Sequence, residues 1–226
     1  MKNSISPLFM AFGILFTACL LISNILAIKV ITIGSMVVPA GVIIFPISYI
    51  VNDVIVEIWG YRKARFVIWI GFAMLILSNV MYQLAIAIPS APFWQDQDAF
   101  STILKSSPRI GLASILAYLS GSFANAFIMS RMKVMSNGKN FSLRAILSTV
   151  VGEGFDSLVF IFIAFAGIIP TKQLFMMVAA QTFIKTAYEI LILPVTIYIV
   201  NRVKKVENEN ALDLNISYNP FKLKEV

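Results

Sequence analysis

Histidine is absent from the 226-residue sequence, cysteine occurs once, and charged residues make up only 13%. Without histidine, and with Cys19 as the lone thiol, a metal centre of His or Cys ligands cannot be assembled and no intrachain disulfide can close. No Walker motif is present, which excludes ATP hydrolysis by that route. Internal repeats, low-complexity tracts and a heptad seam are missing too, and no residue pattern demands a cofactor. Soluble domains usually carry about 25% charge. The deficit here, with 59% hydrophobic residues and a mean hydropathy of +0.86, means that much of the surface faces lipid. The length suits one compact bundle.

What the sequence has is long apolar runs. Crossing about 30 Å of hydrocarbon takes about 20 residues of helix. Six runs meet that length: 8–30, 37–59, 66–88, 110–132, 143–168 and 174–200. The first exceeds a signal-peptide core and no small-residue cleavage site follows it, so it reads as a span. The expected fold is therefore an all-α polytopic bundle of six transmembrane helices over residues 1–205, with a polar, mobile tail at 206–226. The net charge of +7 does not signal a nucleic-acid partner, because the basic residues gather at helix ends and in short loops. Thirteen of the 18 basic residues fall on one side: Lys2, Arg62, Lys63, Arg65, Arg131, Lys133, Lys139, Arg144, Arg202, Lys204, Lys205, Lys222 and Lys224. The positive-inside rule places that side, and both termini, in the cytoplasm.

Polar residues inside the runs are the informative ones, since a charge at the bilayer centre costs about 2.5–3.5 kcal/mol on insertion scales. Tyr49, Asp53 and Glu57 are each four apart, as are Gln181, Lys185 and Glu189; Glu153 and Asp156 are three apart. Asn79 with Gln83, and Tyr118 with Ser122, repeat the four-residue spacing. Each set stripes one helix face, so the stripes can converge on one cavity. Asn24, Asn52 and Asn125 add amides. Five embedded carboxylates, Asp53, Glu57, Glu153, Asp156 and Glu189, face two lysines, Lys29 and Lys185. The surplus acids must hold protons, pair with loop arginines, or await a cation or hydrogen-bond donor. Glu57 is close in sequence to Arg62 and Arg65 and can pair there; Lys185 and Glu189 can pair along their helix; Lys29 can snorkel to the interface. Pro46 breaks the second run, and the half-helix that starts there leads toward Asn52 and Asp53, a habit of transporter sites.

Several stretches carry a family likeness. The strongest is Phe45-Pro46 through Asn52-Asp53 to Glu57, Gly60-Tyr61 and Ala64-Arg65. Others are Ser23-Asn24, Ser120-Gly121-Ser122-Phe123-Ala124-Asn125, Gly152-Glu153-Gly154-Phe155-Asp156 and Gln181-Thr182-Phe183-Ile184-Lys185. Together they resemble the queuosine precursor transporter family, also called the vitamin uptake transporter family, over residues 9–200. The resemblance implies a bacterial inner-membrane importer, not an enzyme, whose substrates are 7-deazaguanines: the 7-cyano or 7-aminomethyl base, or queuine. The donor edge of such a base suits Asp156 or Glu153, its carbonyl suits Asn24, Asn125, Gln181 or Lys185, and its face suits Tyr49, Tyr118 or Phe160. Asp53 completes the polar site, while Asn52, Glu57, Glu189 and Pro46 are candidates for coupling or gating. Proton coupling, facilitated diffusion and an energising partner stay open, as does a homodimer. A substrate-capture subunit of an energy-coupling-factor importer is the alternative, although the Ala-x-x-x-Ala pattern fails at Leu15 and Ile22. An intramembrane aspartyl protease would resemble Gly-x-Gly-Asp, where this chain has Phe155 in the aspartate's place.

Overall fold

The computed structural model describes residues 6–33, 36–105, 108–214 and 216–222, without the side chains of 30, 33, 36–38 and 108. Lys2 and Lys224, two of the basic residues assigned to the inner side, lie outside the described residues. The order is α1 (Pro7–Leu26), β1 (Val30–Ile33), β2 (Met36–Pro39), a short 3-10 turn (Ala40–Ile43), α2 (Phe45–Ala87), α3 (Gln97–Leu104), α4 (Pro108–Met135), α5 (Phe141–Phe165) and α6 (Thr171–Glu207). Five of the helices, counting the stretch Gln97–Met135 as one, are long and apolar enough to cross a membrane. The interior of the bundle shields only 28–44% of each apolar window. Ile14, Leu77, Phe183 and Leu191 are among the large apolar side chains left on the outer face, as lipid requires.

The second apolar run is not one helix from residue 37. β1 and β2 form a short antiparallel hairpin, pairing Val30 with Pro39 and Ile33 with Met36, and helix begins only at Phe45. Pro46 therefore sits in the first turn, where its missing N–H is no loss, and kinks nothing upstream. The half-helix toward Asn52 and Asp53 does start there.

α2 consists of two arms joined at Gly60, whose φ of 83° and ψ of 171° lie in territory open to glycine alone. α1 shows what this turn does. Phe9, near its start, stacks edge-on against Trp59 with ring centroids 5.4 Å apart. Farther along α1, Gly13 approaches Val67 and Phe16 approaches Gly71, while Ser23 and Ala27 meet Gly41. The first arm thus runs antiparallel to α1 and the second parallel to it, so the chain reverses at Gly60. The reversal strands backbone groups, which need partners. Lys133 Nζ donates to the Glu57 carbonyl, and the Ala211 N–H donates to the Ile58 carbonyl at 3.0 Å. The Tyr61 N–H donates to Asp213 Oδ2 at 2.9 Å.

The last two of these contacts come from the polar tail, which the structure shows docked rather than free. Arg65 donates to the Ser217 and Asn219 carbonyls at 3.2 and 2.8 Å, and Trp69 Nε1 donates to the Pro220 carbonyl at 2.8 Å. Tyr218 stacks on Tyr61 and Phe127. A Cβ at Gly60 would stand 2.7 Å from Asp213 Oδ1 and 3.2 Å from the Ala211 Cβ. Gly60→Ala is expected to destabilise the protein by about 1–3 kcal/mol from backbone strain. It should also release the tail, read as a lower unfolding temperature in detergent and faster proteolysis after Glu207. An unchanged melt and an unchanged tail would contradict this reading.

α4 and α5 approach through small residues. A Cβ at Gly121 would meet the Gly152 carbonyl at 2.9 Å, and one at Gly152 would meet the Asn125 Cβ at 2.6 Å. This contact brings the acidic face of α5 against the start of α2's first arm.

Candidate functional site

Polar side chains occupy the bundle axis in three tiers. The outermost tier sits nearest the β-hairpin and is organised by Lys185 of α6. Its ammonium donates to Glu153 Oε2 at 2.6 Å and Asp156 Oδ2 at 3.0 Å, both on α5. Glu153 is fully buried, and Asp156 and Lys185 nearly so. Lys185 Nζ also stands 4.2 Å from the centroid of the Phe45 ring, a cation–π contact. The expected Lys185–Glu189 pair is replaced by pairs across helices, because α5 presents two carboxylates nearer than the next turn of α6 does.

Above this tier lies a cavity of 110 Å³ lined by residues of α1, the 3-10 turn, α2, α4, α5 and α6. It has room for several water-sized spheres, enough to admit a small planar ligand. Asp156 and Lys185 are its only charged lining residues among those described; Asn24, Gln181, Ser23 and Ser114 supply neutral polar groups. Phe45, Tyr118 and Phe160 supply rings. The Tyr118 hydroxyl donates to the Ile68 carbonyl at 2.7 Å, which leaves the cavity only its ring. Asn24 Nδ2 donates to the Leu20 carbonyl at 3.0 Å, leaving its amide oxygen and its second N–H on offer.

The second tier is Asn52, Asp53, Asn125, Ser148, Thr149 and Glu189, contributed by α2, α4, α5 and α6 and all buried. Asn52 Nδ2 donates to Asn125 Oδ1 at 2.7 Å, and the Ser148 hydroxyl donates to Asp53 Oδ1 at 3.4 Å. Asp53 and Glu189 interact electrostatically, and Asp53 Oδ2, Glu189 Oε2 and the Thr149 hydroxyl are each buried with no hydrogen-bond partner.

The innermost tier centres on Glu57, which has no exposed surface. Arg144 Nη1 reaches Oε2 at 2.6 Å, while Lys204 and Lys133 reach Oε1 at 2.5 and 3.7 Å. The sequence pointed to Arg62 and Arg65 as its partners, and the structure corrects this. After Gly60 the chain turns back, and Arg65 is carried to the tail carbonyls. The cations that reach Glu57 come from α4, α5 and α6, far away in sequence.

The expected site residues therefore separate. Asn24, Tyr118, Asp156, Gln181 and Lys185 share the cavity wall. Glu153 stands behind it through Lys185. Tyr49, buried one turn below Phe45, turns its hydroxyl toward Gly121 and Asp156 without a hydrogen-bond partner. Asn52, Asp53, Asn125 and Glu189 lie in the second tier, Glu57 in the third, and Pro46 in the first turn of α2, directly after Phe45. Asn79 and Gln83 do not join: Asn79 Nδ2 bonds the Leu75 carbonyl, and Gln83 is exposed. Lys29 is exposed too, in line with snorkelling. Sequence spacing missed Phe45 because an aromatic beside proline carries no polar signal.

No solved structure matches this chain. It is 26% identical over 173 residues, 76% of each chain, to the "Probable queuosine precursor transporter" of Bacillus subtilis (strain 168). It is 28% identical over 125 residues to the "Queuosine precursor transporter" of Escherichia coli (strain K12), covering 55% of this chain and 54% of that one. The family described as "putative vitamin uptake transporter" matches residues 39–199, a stretch that contains Phe45, Asp53, Glu57, Glu153, Asp156, Lys185 and Glu189. With most of its length matched, the chain belongs to that family of membrane transporters and is not an enzyme.

Proposed function

We propose that this protein imports a queuosine precursor, a 7-deazaguanine, across the bacterial inner membrane, and that the cavity above Asp156 and Lys185 is where the base binds. One observation carries the reading. One cavity with room for a small planar ligand is lined by a carboxylate, an ammonium, two amides and three aromatic rings. The donor edge of a 7-deazaguanine, its ring N–H and exocyclic amine, can bond to one carboxylate together. Asp156 is the acid that faces the cavity, and Lys185 or Gln181 can donate to the base carbonyl. Phe160, Tyr118 and Phe45 offer faces for the ring system. The names of the two relatives point the same way.

The chain crosses the membrane six times in this reading, with both termini cytoplasmic. Reversal at Gly60 makes two crossings of α2. The first arm is about 22 Å long at 1.5 Å per residue, and the 3-10 turn adds about 8 Å. Ser6, Trp59, Lys133, Arg144 and Glu207 gather at one end, where the Ser6 hydroxyl donates to Glu207 at 2.6 Å and Trp59 Nε1 at 3.3 Å. That end is rich in Lys and Arg, so it faces the cytoplasm. Residues 1–205 form the transport domain, and 206–226 form a cytoplasmic tail that buttresses the Gly60 turn.

The test is rescue of queuosine in tRNA. A host without precursor synthesis and without its own importer would express the chain and receive each 7-deazaguanine separately. Rescue by at least one compound is expected, and Asp156→Asn should reduce uptake at limiting precursor by tenfold or more. An Asp156→Asn protein that is present in the membrane with full uptake would remove Asp156 from the site. Failure of every precursor with the wild type would remove the substrate class.

A further inference from the structure

Among the described residues, Asp53 and Glu189 are the two buried carboxyls with no cation in ion-pair range. Lys185 serves Glu153 and Asp156, while Arg144, Lys204 and Lys133 serve Glu57. Asp53 has no exposed surface and Glu189 retains 2%. Asp53 Oδ2 and Glu189 Oε2 are each buried with no hydrogen-bond partner, and the two groups interact electrostatically. Two carboxyls can hydrogen-bond only when one of them carries a proton, and two bare carboxylates in low dielectric repel strongly.

The groups around this pair are known on every side. On α2, Tyr49 stands one turn toward the cavity and Glu57 one turn toward the inner end. On α4 the neighbour is Asn125, an uncharged amide beside Asp53. α5 contributes Ser148, Thr149 and, one turn on, Glu153. On α6, Lys185 lies one turn from Glu189 but is held by Glu153 and Asp156. Glu153 supplies an independent sign of a ligand. Its Oε1 is buried without any donor. Buried carboxyls are therefore present from the cavity floor at Asp156, through Glu153 behind Lys185, down to the tier of Glu189 and Asp53. Beyond Asp53 comes the Glu57 tier, where three cations surround one acid. A proton can be passed to the pair from the cavity side, and the positive tier opposes its passage to the inner side in this conformation.

We infer that Asp53 and Glu189 form a proton-binding site, loaded from the cavity side, which couples uptake of the base to proton entry. The inference rests on the import reading above. A proton bound by one carboxyl of the pair enters with the base and leaves on the inner side when the bundle opens there, and no other bond changes. Glu57, by contrast, belongs to the seal, since its charge is already matched.

The experiment uses the purified full chain in liposomes with radiolabelled 7-cyano-7-deazaguanine. Counterflow between equal concentrations of the base measures binding and exchange without a driving force. Net uptake is then measured with and without an inside-alkaline pH gradient. The expected result is exchange in both conditions and at least fivefold accumulation only with the gradient, abolished by a protonophore. Asp53→Asn and Glu189→Gln should keep exchange while losing gradient-driven accumulation. Exchange without any response to the pH gradient, or accumulation driven by a sodium gradient instead, would overturn the proton site alone. No exchange by the wild type would sink the import reading beneath it. If these variants do not fold, Asp53→Glu and Glu189→Asp, which keep a carboxyl, should shift the pH dependence of accumulation, and an unshifted dependence would overturn the assignment to this pair.

Discussion

Replacing Glu57 with leucine is expected to leave little folded protein in the membrane. Among the described residues, Glu57 is the only acid in ion-pair range of Arg144, Lys133 and Lys204, and Arg144 and Lys133 are 1% exposed. Removing one partner of a buried pair costs about 3–5 kcal/mol, because the remaining charge stays desolvated. Here three cations lose their shared partner together, against a total stability of about 5–15 kcal/mol for a typical domain. Glu57→Gln keeps the shape and should fail almost as badly, which would separate charge from packing. Lys204 can swing outward, being 23% exposed, but Arg144 and Lys133 cannot. The double variant Glu57→Leu with Arg144→Leu should regain part of the loss, a coupling that a double-mutant cycle measures. The readout is the fraction recovered as a monodisperse species in detergent and its melting temperature. A Glu57→Leu protein that melts within a few degrees of the wild type would show that the cluster is not a structural seal.

Lys185→Met is expected to abolish uptake while leaving a protein that folds. Lysine and methionine have similar length, so the cavity wall keeps its shape, but Glu153 and Asp156 lose the ammonium between them. Two carboxylates at one site then repel, and a proton settles on one of them. The donor edge of the base meets an altered floor, and its carbonyl loses a donor. Precursor affinity should fall at least a hundredfold, about 2.7 kcal/mol. Lys185→Arg keeps the charge but offers a planar fork in place of a compact ammonium and should not restore uptake. A second change decides what Lys185 does. Adding Glu153→Gln to Lys185→Met removes the excess negative charge. If uptake returns, Lys185 is a counterion alone. If folding improves and uptake stays lost, it contacts the base. Direct binding of the 7-deazaguanine, measured by calorimetry in detergent, reads both arms.

The Glu57 and Lys185 variants differ because the two tiers differ. Glu57 sits in excess positive charge with every partner engaged, which suits a fixed staple. The upper tier holds more acid than base and borders a cavity, which suits exchange of partners. Both tiers use residues from several helices, and helix packing decides which acid meets which cation.

The apolar runs, the scarcity of charge and the one-sided placement of Lys and Arg determined by themselves that this chain is a helical membrane protein with a polar axis. These are properties of local composition and of transfer from water to lipid, and they need no knowledge of neighbours. Four-residue spacing likewise marked Tyr49, Asp53 and Glu57, and Lys185 and Glu189, as lying on inward faces, because helical period alone fixes which residues share a face. What spacing cannot fix is the rotation and depth of one helix against another. The tertiary structure decided that Glu57 pairs with Arg144, Lys133 and Lys204 rather than with Arg62 and Arg65. It decided that Lys185 turns to α5, that Phe45 covers its ammonium, and that the tail docks on the Gly60 turn. The physical reason is the same in each case. A buried charge takes the nearest opposite charge in space, and one glycine at positive φ, with the close contact of Gly121 and Gly152, sets which side chains are near.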